Sequence, residues 1–271
     1  MLSAAILCFL ACSVYFIHTF LRSDGLDDIR SQVSTGSSSN SSSASSKTSY
    51  VETPVNFVEL KKINPDVYAW INIPGTSVDY PILRREDDNA YYLNHTVENK
   101  RSDYGSIYTE NYNDKNFDDF NTVVYGHNML NGSMFGSLRR YRNNRDYAKT
   151  NNVINVYLPG RILKYQIFAT YITDDRHLLL NNDFKDRAVC EEYLKSVFAV
   201  KTANSFINTD LHFKSFSSFY HSIYYSAINL SNQVSMTIIN WLAPFHSCSI
   251  SSRVLCFTYF CTYTQVATLL A

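Results

Sequence analysis

The stretch Asn121-Thr-Val-Val-Tyr-Gly-His-Asn-Met129 is where the chain is most informative. Thr122 to Tyr125 has the β-branched and aromatic composition of a short buried strand. Gly126 permits an abrupt change of backbone direction, which leaves His127 at the strand's end, able to face a cleft. A lone His in that place is more often a loop residue than a catalyst, so its meaning depends on its surroundings.

Strand signals lie on both sides of it. Downstream, Val153-Ile-Asn-Val-Tyr-Leu158 and Arg161 to Ile172 alternate apolar and polar residues across Pro159-Gly160, which reads as a hairpin. Upstream, Tyr68 to Pro74 and Ser77 to Leu83 read as two strands about a Gly75-Thr76 turn. Two helices are expected. The first runs over Val55 to Ile63, with Val55, Val58 and Ile63 near helical spacing and Asn64-Pro65 as its stop. The second runs over Asp183 to Val200, capped by Asn182 or Asp183, with Cys190, Tyr193, Leu194, Val197 and Phe198 on one face. The class is therefore α+β, mostly β.

Composition bounds the function. The 271 residues carry 24 Lys+Arg against 24 Asp+Glu, so nothing in the totals calls for a polyanion, and nucleic acid is not expected as a partner. With 45% hydrophobic and 15% aromatic residues the chain can bury a sizeable core, which excludes wholesale disorder. The 6 Cys include no Cys-Xaa-Xaa-Cys pair, so neither a disulfide framework nor a zinc site is expected. His177, His212, His221 and His246 lack metal-ligand spacing and read as loop or surface residues. Asp114, Asp118 and Asp119 read as a solvated acidic loop, without the alternation of a calcium hand. No metal and no cofactor is expected.

The chain divides into four regions. Residues 1–22 read as a transmembrane anchor, because Leu2 to Leu21 carries no formal charge and is long enough, as a helix, to span a bilayer. Ala11-Cys12-Ser13 offers a signal-peptidase alternative, but the apolar run continues past it and no basic region precedes it. Residues 23–50 are a Ser-rich flexible linker. Residues 51–210 are the folded domain, and 211–271 are an atypical segment: from Leu211 onward there is no Asp or Glu, and Lys214 and Arg253 carry the formal charges.

With these residues in view, Thr122 to Met129 followed by Met134-Phe-Gly-Ser-Leu138 resembles the histidine motif of the class B sortases, membrane-anchored cysteine transpeptidases of Gram-positive bacteria. Leu60 to Leu83, Asp88 to His95, Gly105-Ser-Ile-Tyr108 and Tyr193 to Ser196 are similar to that family in the same order, so the resemblance covers roughly residues 55 to 209. It implies a sortase-type closed β-barrel with N-terminal and flanking helices. It also implies an activity: cleavage of an Asn-Pro-Xaa-Thr-Xaa-like sorting signal through a thioacyl-enzyme, and attachment of surface proteins to a peptidoglycan amine. The implied partners are the signal-bearing surface protein, a peptidoglycan precursor or cell-wall amine, and the membrane through the N-terminal helix. The catalytic domain would be extracellular, although Arg22 and Arg30 on the far side of the anchor would by the positive-inside tendency place it in the cytoplasm.

By the same resemblance His127 is the family His, and Asn89, Leu93 and Tyr125 line the groove for the sorting signal; core packing is the other reading of Leu93 and Tyr125. The nucleophile departs from the family pattern. Cys261-Thr262-Tyr263 fits the family's Cys and the two positions after it, but no Arg comes later in the chain. Cys248, five residues before Arg253, forms with it the alternative catalytic pair. The separation from His127 to Cys261 exceeds the one the resemblance implies, and the low-charge tail reads either as an insertion or as a frameshifted end. In the second case the chain is an inactive relative that at most binds sorting-signal peptides.

Overall fold

In the computed structural model the described residues are 10, 11, 13, 14, 17, 29–31, 53–172, 177–200, 205–207, 225–229 and 233–239. Helix α1 (Phe57–Ile63) starts where Asn56 Oδ1 accepts the Glu59 N–H at 3.2 Å. It ends at Asn64, ahead of Pro65, as the sequence requires. The face it buries matches the expected one only in part: Val55 just ahead of it is buried and Ile63 packs against the core. Phe57 and Leu60 point inward, while Val58 is 69% exposed, because the body lies against the 57/60 edge of the helix.

Strands β1 (Val67–Asn72) and β2 (Asp79–Leu83) form the expected antiparallel pair, with Trp70 opposite Pro81 and Asn72 opposite Asp79. The Asp79 carboxylate accepts from Trp70 Nε1 at 2.8 Å and Asn72 Nδ2 at 3.1 Å, which holds the open end of the pair. Strand β3 (Ile107–Thr109) lies parallel to β2, so residues 84–106 must cross over from one to the other. That crossover brings Leu93 to the site. Strand β4 (Asn121–His127) pairs antiparallel with β3, Tyr125 opposite Tyr108.

After β4 come the short helices α2 (Arg139–Asn143) and α3 (Arg145–Thr150). The hairpin β5 (Val153–Leu158) and β6 (Arg161–Tyr171) comes next, turning at Gly160 with φ 73°. Helix α4 (Leu178–Asn181) leads to α5 (Arg187–Phe198), whose cap is Asp186, with Oδ1 accepting the Ala188 N–H at 2.8 Å. The helix thus starts a few residues later than Asn182 or Asp183 would have placed it, because Asp183 instead accepts from Lys185 N in a preceding turn. Cys190, Tyr193, Leu194 and Val197 make the buried face as expected.

With β7 (Phe206–Ile207), seven strands run in the order β7-β6-β5-β1-β2-β3-β4, a curled half-barrel. Two later strands, β8 (Tyr225–Asn229) and β9 (Gln233–Ile239), pair by their backbones between β6 and β4. The architecture is mostly β within an α+β chain, as the alternating segments imply.

Residues 29–31 are helical and belong to the body, although they fall in the stretch read as linker. Ile29 is buried among core residues, Arg30 Nε donates to the Asp79 carbonyl at 3.0 Å, and its guanidinium lies 4.7 Å from the Tyr80 ring centroid. Of the anchor segment, residues 10, 11, 13, 14 and 17 are described and helical, with Leu10, Val14 and Ile17 exposed. Among the described residues no helix is long and apolar enough to cross a membrane. The rest of that segment lies outside the described residues.

Candidate active site

His127 is the last residue of β4 and is half-buried. Its Nε2 lies 2.6 Å from the Leu93 carbonyl oxygen. A carbonyl only accepts, so Nε2 carries the hydrogen and the neutral ring keeps Nδ1 as its basic nitrogen. Nδ1 has no partner among the described residues. One nitrogen is thus fixed to the scaffold while the other can exchange a proton.

The carbonyl is itself held in place. Leu93 closes a 3₁₀ turn (Tyr91–Leu93) in the crossover, with its N–H on Ala90 O at 3.0 Å. Tyr91 stacks on His95 at 4.0 Å between centroids, under the Arg85 guanidinium. Gly105, at φ 56°, passes so close that a Cβ there would meet Leu93 O at 2.4 Å. This Gly is required by a positive φ and by lack of room, both in service of the carbonyl that orients His127.

Tyr125 shares a strand face with His127, two residues back. Its ring stacks on Tyr108 at 5.2 Å and its hydroxyl donates to Glu110 Oε2 at 2.9 Å. Burial first, and the Glu110 charge second, push the Tyr125 phenol well above its usual range, so it stays a neutral donor. The same carboxylate oxygen lies 2.8 Å from His177 Nε2, while His177 Nδ1 accepts the Leu180 N–H at 3.2 Å and caps α4. His177 is therefore a structural link between the β6–α5 connection and the residue just after β3, a tighter role than the loop or surface position expected of it. Asn89 exchanges hydrogen bonds with Asn111, beside Glu110, at 2.8 and 3.1 Å. Leu93, Tyr125 and His127 thus converge on one rim, and Asn89 joins it through residues 110 and 111.

Gly126 has a role other than the one its sequence suggests. The strand runs straight through it with no positive φ, so it does not turn the chain. A Cβ there would lie 2.3 Å from Ile107 Cδ1 and 2.9 Å from Phe135 Cδ2, so Gly is needed for close packing. The loop after His127 folds back on the strand: Phe135 N–H donates to His127 O at 2.9 Å, and Met134 N–H to Tyr80 Oη at 2.9 Å.

Cys248, Arg253 and Cys261 lie outside the described residues. Among the described residues the free thiol is Cys190, buried on α5, with Sγ donating to Phe184 O at 3.3 Å and a pKa pushed up to about 11 by burial and then by Asp186. It has the character of a packing residue, not a nucleophile. The acidic loop builds its own turn: Asp119 Oδ2 accepts from Asn113 Nδ2 at 3.0 Å and from Asp114 N at 2.6 Å. No local pattern in the sequence marks Glu110 or the bridging role of His177, because their contact joins positions far apart in the chain.

Residues 71–199 match the family model described as the Sortase domain. The chain is 36% identical over 139 residues to sortase B of Listeria monocytogenes serovar 1/2a, a match covering 51% of this chain and 56% of that protein. It is 30% identical over 152 residues to sortase B of Staphylococcus aureus, covering 56% of this chain and 62% of that one. The matched stretch therefore spans less than two thirds of either relative. The X-ray structure of Clostridium perfringens sortase B superposes with a TM-score of 0.53 at 28% identity, covering 67% of this chain and 97% of that chain.

Proposed function

We propose that this chain, whose residues 71–199 match the Sortase domain and which is similar to class B sortases, is a cysteine transpeptidase cutting an Asn-Pro-Xaa-Thr-Xaa-like sorting signal. A Cys thiolate attacks the Thr carbonyl, the Thr–Xaa amide breaks, and the Thr acyl group is held as a thioester. His127 Nδ1, which has taken the proton of the Cys thiol, gives it to the departing amine, then takes one from the incoming cell-wall amine and returns it to the Cys as the thioester breaks, while Nε2 stays on Leu93 O. Surface proteins are thereby joined to peptidoglycan.

The observation that carries this reading is the His127–Leu93 contact, which leaves one imidazole nitrogen for proton transfer at the rim shared with Tyr125. Cys261 is the proposed nucleophile and Cys248 the alternative, with Arg253 as the candidate oxyanion donor. Asn89, Leu93 and Tyr125 receive the sorting signal. In this reading β8 and β9 complete a closed barrel, residues 1–22 anchor the chain in the cell membrane, and the domain faces the wall. Uncharged residues from Leu2 to Leu21 support the anchor.

The test is cleavage of a quenched fluorescent Asn-Pro-Gln-Thr-Asn peptide by the full chain, beside His127→Ala, Cys248→Ala and Cys261→Ala. Loss of cleavage in His127→Ala and in one Cys variant, with a mass-detected thioacyl adduct on that Cys in the wild type, is the expected result. A folded wild-type chain that neither cuts nor forms an adduct would overturn the catalytic reading and leave a peptide-binding relative. Protease protection on intact spheroplasts tests the orientation, and resistance to external protease would contradict an outward-facing domain.

A further inference from the structure

We propose that the concave surface behind the His127 loop is a second ligand site, one that takes a phosphate-type oxyanion. The cavity, about 760 Å³, lies between the β1–β2 turn at Gly75 to Ser77 and the segment from Leu130 to Tyr147. Among the described residues no Asp or Glu lines it, and two Arg do: Arg139 and Arg140.

Both guanidiniums keep donors in hand. Arg139 Nη2 donates to the carbonyls of Met129 at 3.0 Å and Leu130 at 3.1 Å, which fixes the plane of the group. Its Nε and Nη1 hydrogens have no acceptor among the described residues. Arg140 Nη1 reaches Gly75 O at 3.4 Å, and its guanidinium sits 5.5 Å from the Tyr147 ring centroid. Neither side chain pairs with a carboxylate of the described residues, and both are charged at any physiological pH. In a chain whose formal charges cancel, Arg139-Arg-Tyr-Arg-Asn-Asn-Arg145 gathers four Arg and no acid. Such a concave, one-signed surface concentrates anions.

The donor geometry selects the anion. A planar carboxylate is satisfied by one guanidinium fork, whereas a tetrahedral oxyanion with several terminal oxygens can accept from two forks held at separate anchors. The cavity is much larger than inorganic phosphate alone, so the group belongs to a phosphate ester or pyrophosphate of some size. Arg139 also grips the carbonyls of Met129 and Leu130, just beyond His127, so ligand binding here is expected to register at His127. The site's chemistry is independent of whether the chain cleaves peptides.

The experiment is calorimetric titration of the full chain with inorganic pyrophosphate at low salt. A parallel arm measures co-sedimentation with phosphatidylglycerol or phosphatidylcholine vesicles. Saturable binding that weakens about tenfold in Arg140→Gln and is unchanged in Arg101→Gln is expected. Arg140 is exposed and contributes one long hydrogen bond, so its variant should stay folded, and a thermal melt checks this. Pyrophosphate binding alone assigns a soluble phosphate compound, and Arg140-dependent binding to phosphatidylglycerol vesicles alone assigns a lipid headgroup; either supports the site. Absence of both, or binding that survives Arg140→Gln, overturns it.

Discussion

At the scale of single residues, the site is built from polar groups held by partners distant in sequence. Tyr125→Phe removes the hydroxyl that donates to Glu110 while keeping the ring on Tyr108. The expected cost is about 1 kcal/mol, the usual net value of one hydrogen bond, read as a midpoint shift in chemical denaturation with an unchanged slope. Cys190 gives a pH prediction. Its folded pKa, about 11, is above the ordinary 9.0, so the folded state holds the proton more tightly than the unfolded one. That contribution is complete below the ordinary value and is lost as pH rises through about 11. The expected outcome is that Cys190 resists alkylation by iodoacetamide at neutral pH in the folded chain and is modified once alkali unfolds it, as peptide mass mapping would report. His127 was legible because a strand-like run, a Gly and a His stand together. Leu93's carbonyl, Glu110 and His177 were not, because their roles arise from contacts that no local pattern records.

At the scale of elements, hairpins and helices were legible and crossovers were not. The β5–β6 pair comes from alternation around Pro159-Gly160, and α5 from its apolar face, while the cap of α5 moved because Asp183 closes a separate turn ahead of the helix and leaves the cap to Asp186. The 84–106 crossover has no periodic signal, yet it delivers the His127 partner. Gly105→Ala tests its importance, since the new methyl group would be both at a positive φ and against the Leu93 carbonyl. A loss of about 2 kcal/mol or more is expected in thermal unfolding. A changed His127 imidazole resonance in NMR is expected with it, whereas a purely global effect would leave that resonance alone.

At the scale of the whole molecule, the body reaches further towards the N-terminus than its composition suggests. A chain beginning at residue 33 lacks Ile29 and the Arg30 contacts, and burial of one large aliphatic side chain is worth about 1.5–3 kcal/mol. Relative to a chain beginning at residue 25, its melting temperature is expected to fall by several degrees in a calorimetric scan. The Ser-rich composition of the neighbouring stretch concealed this, because Ile29 and Arg30 are two informative residues in a long polar segment.

The seven-strand half-barrel also bears on solubility. Until β8 and β9 pair with them, β4 and the inner edge of β6 present rows of unmatched backbone groups, and β4 does so along Thr122-Val-Val-Tyr125. Such edges are templates for other chains. A polypeptide ending after Ile207 is therefore expected to self-associate, sedimenting as oligomers where the full chain stays monodisperse. The last quarter of the sequence would then act as a built-in guard against aggregation, whatever it contributes to chemistry.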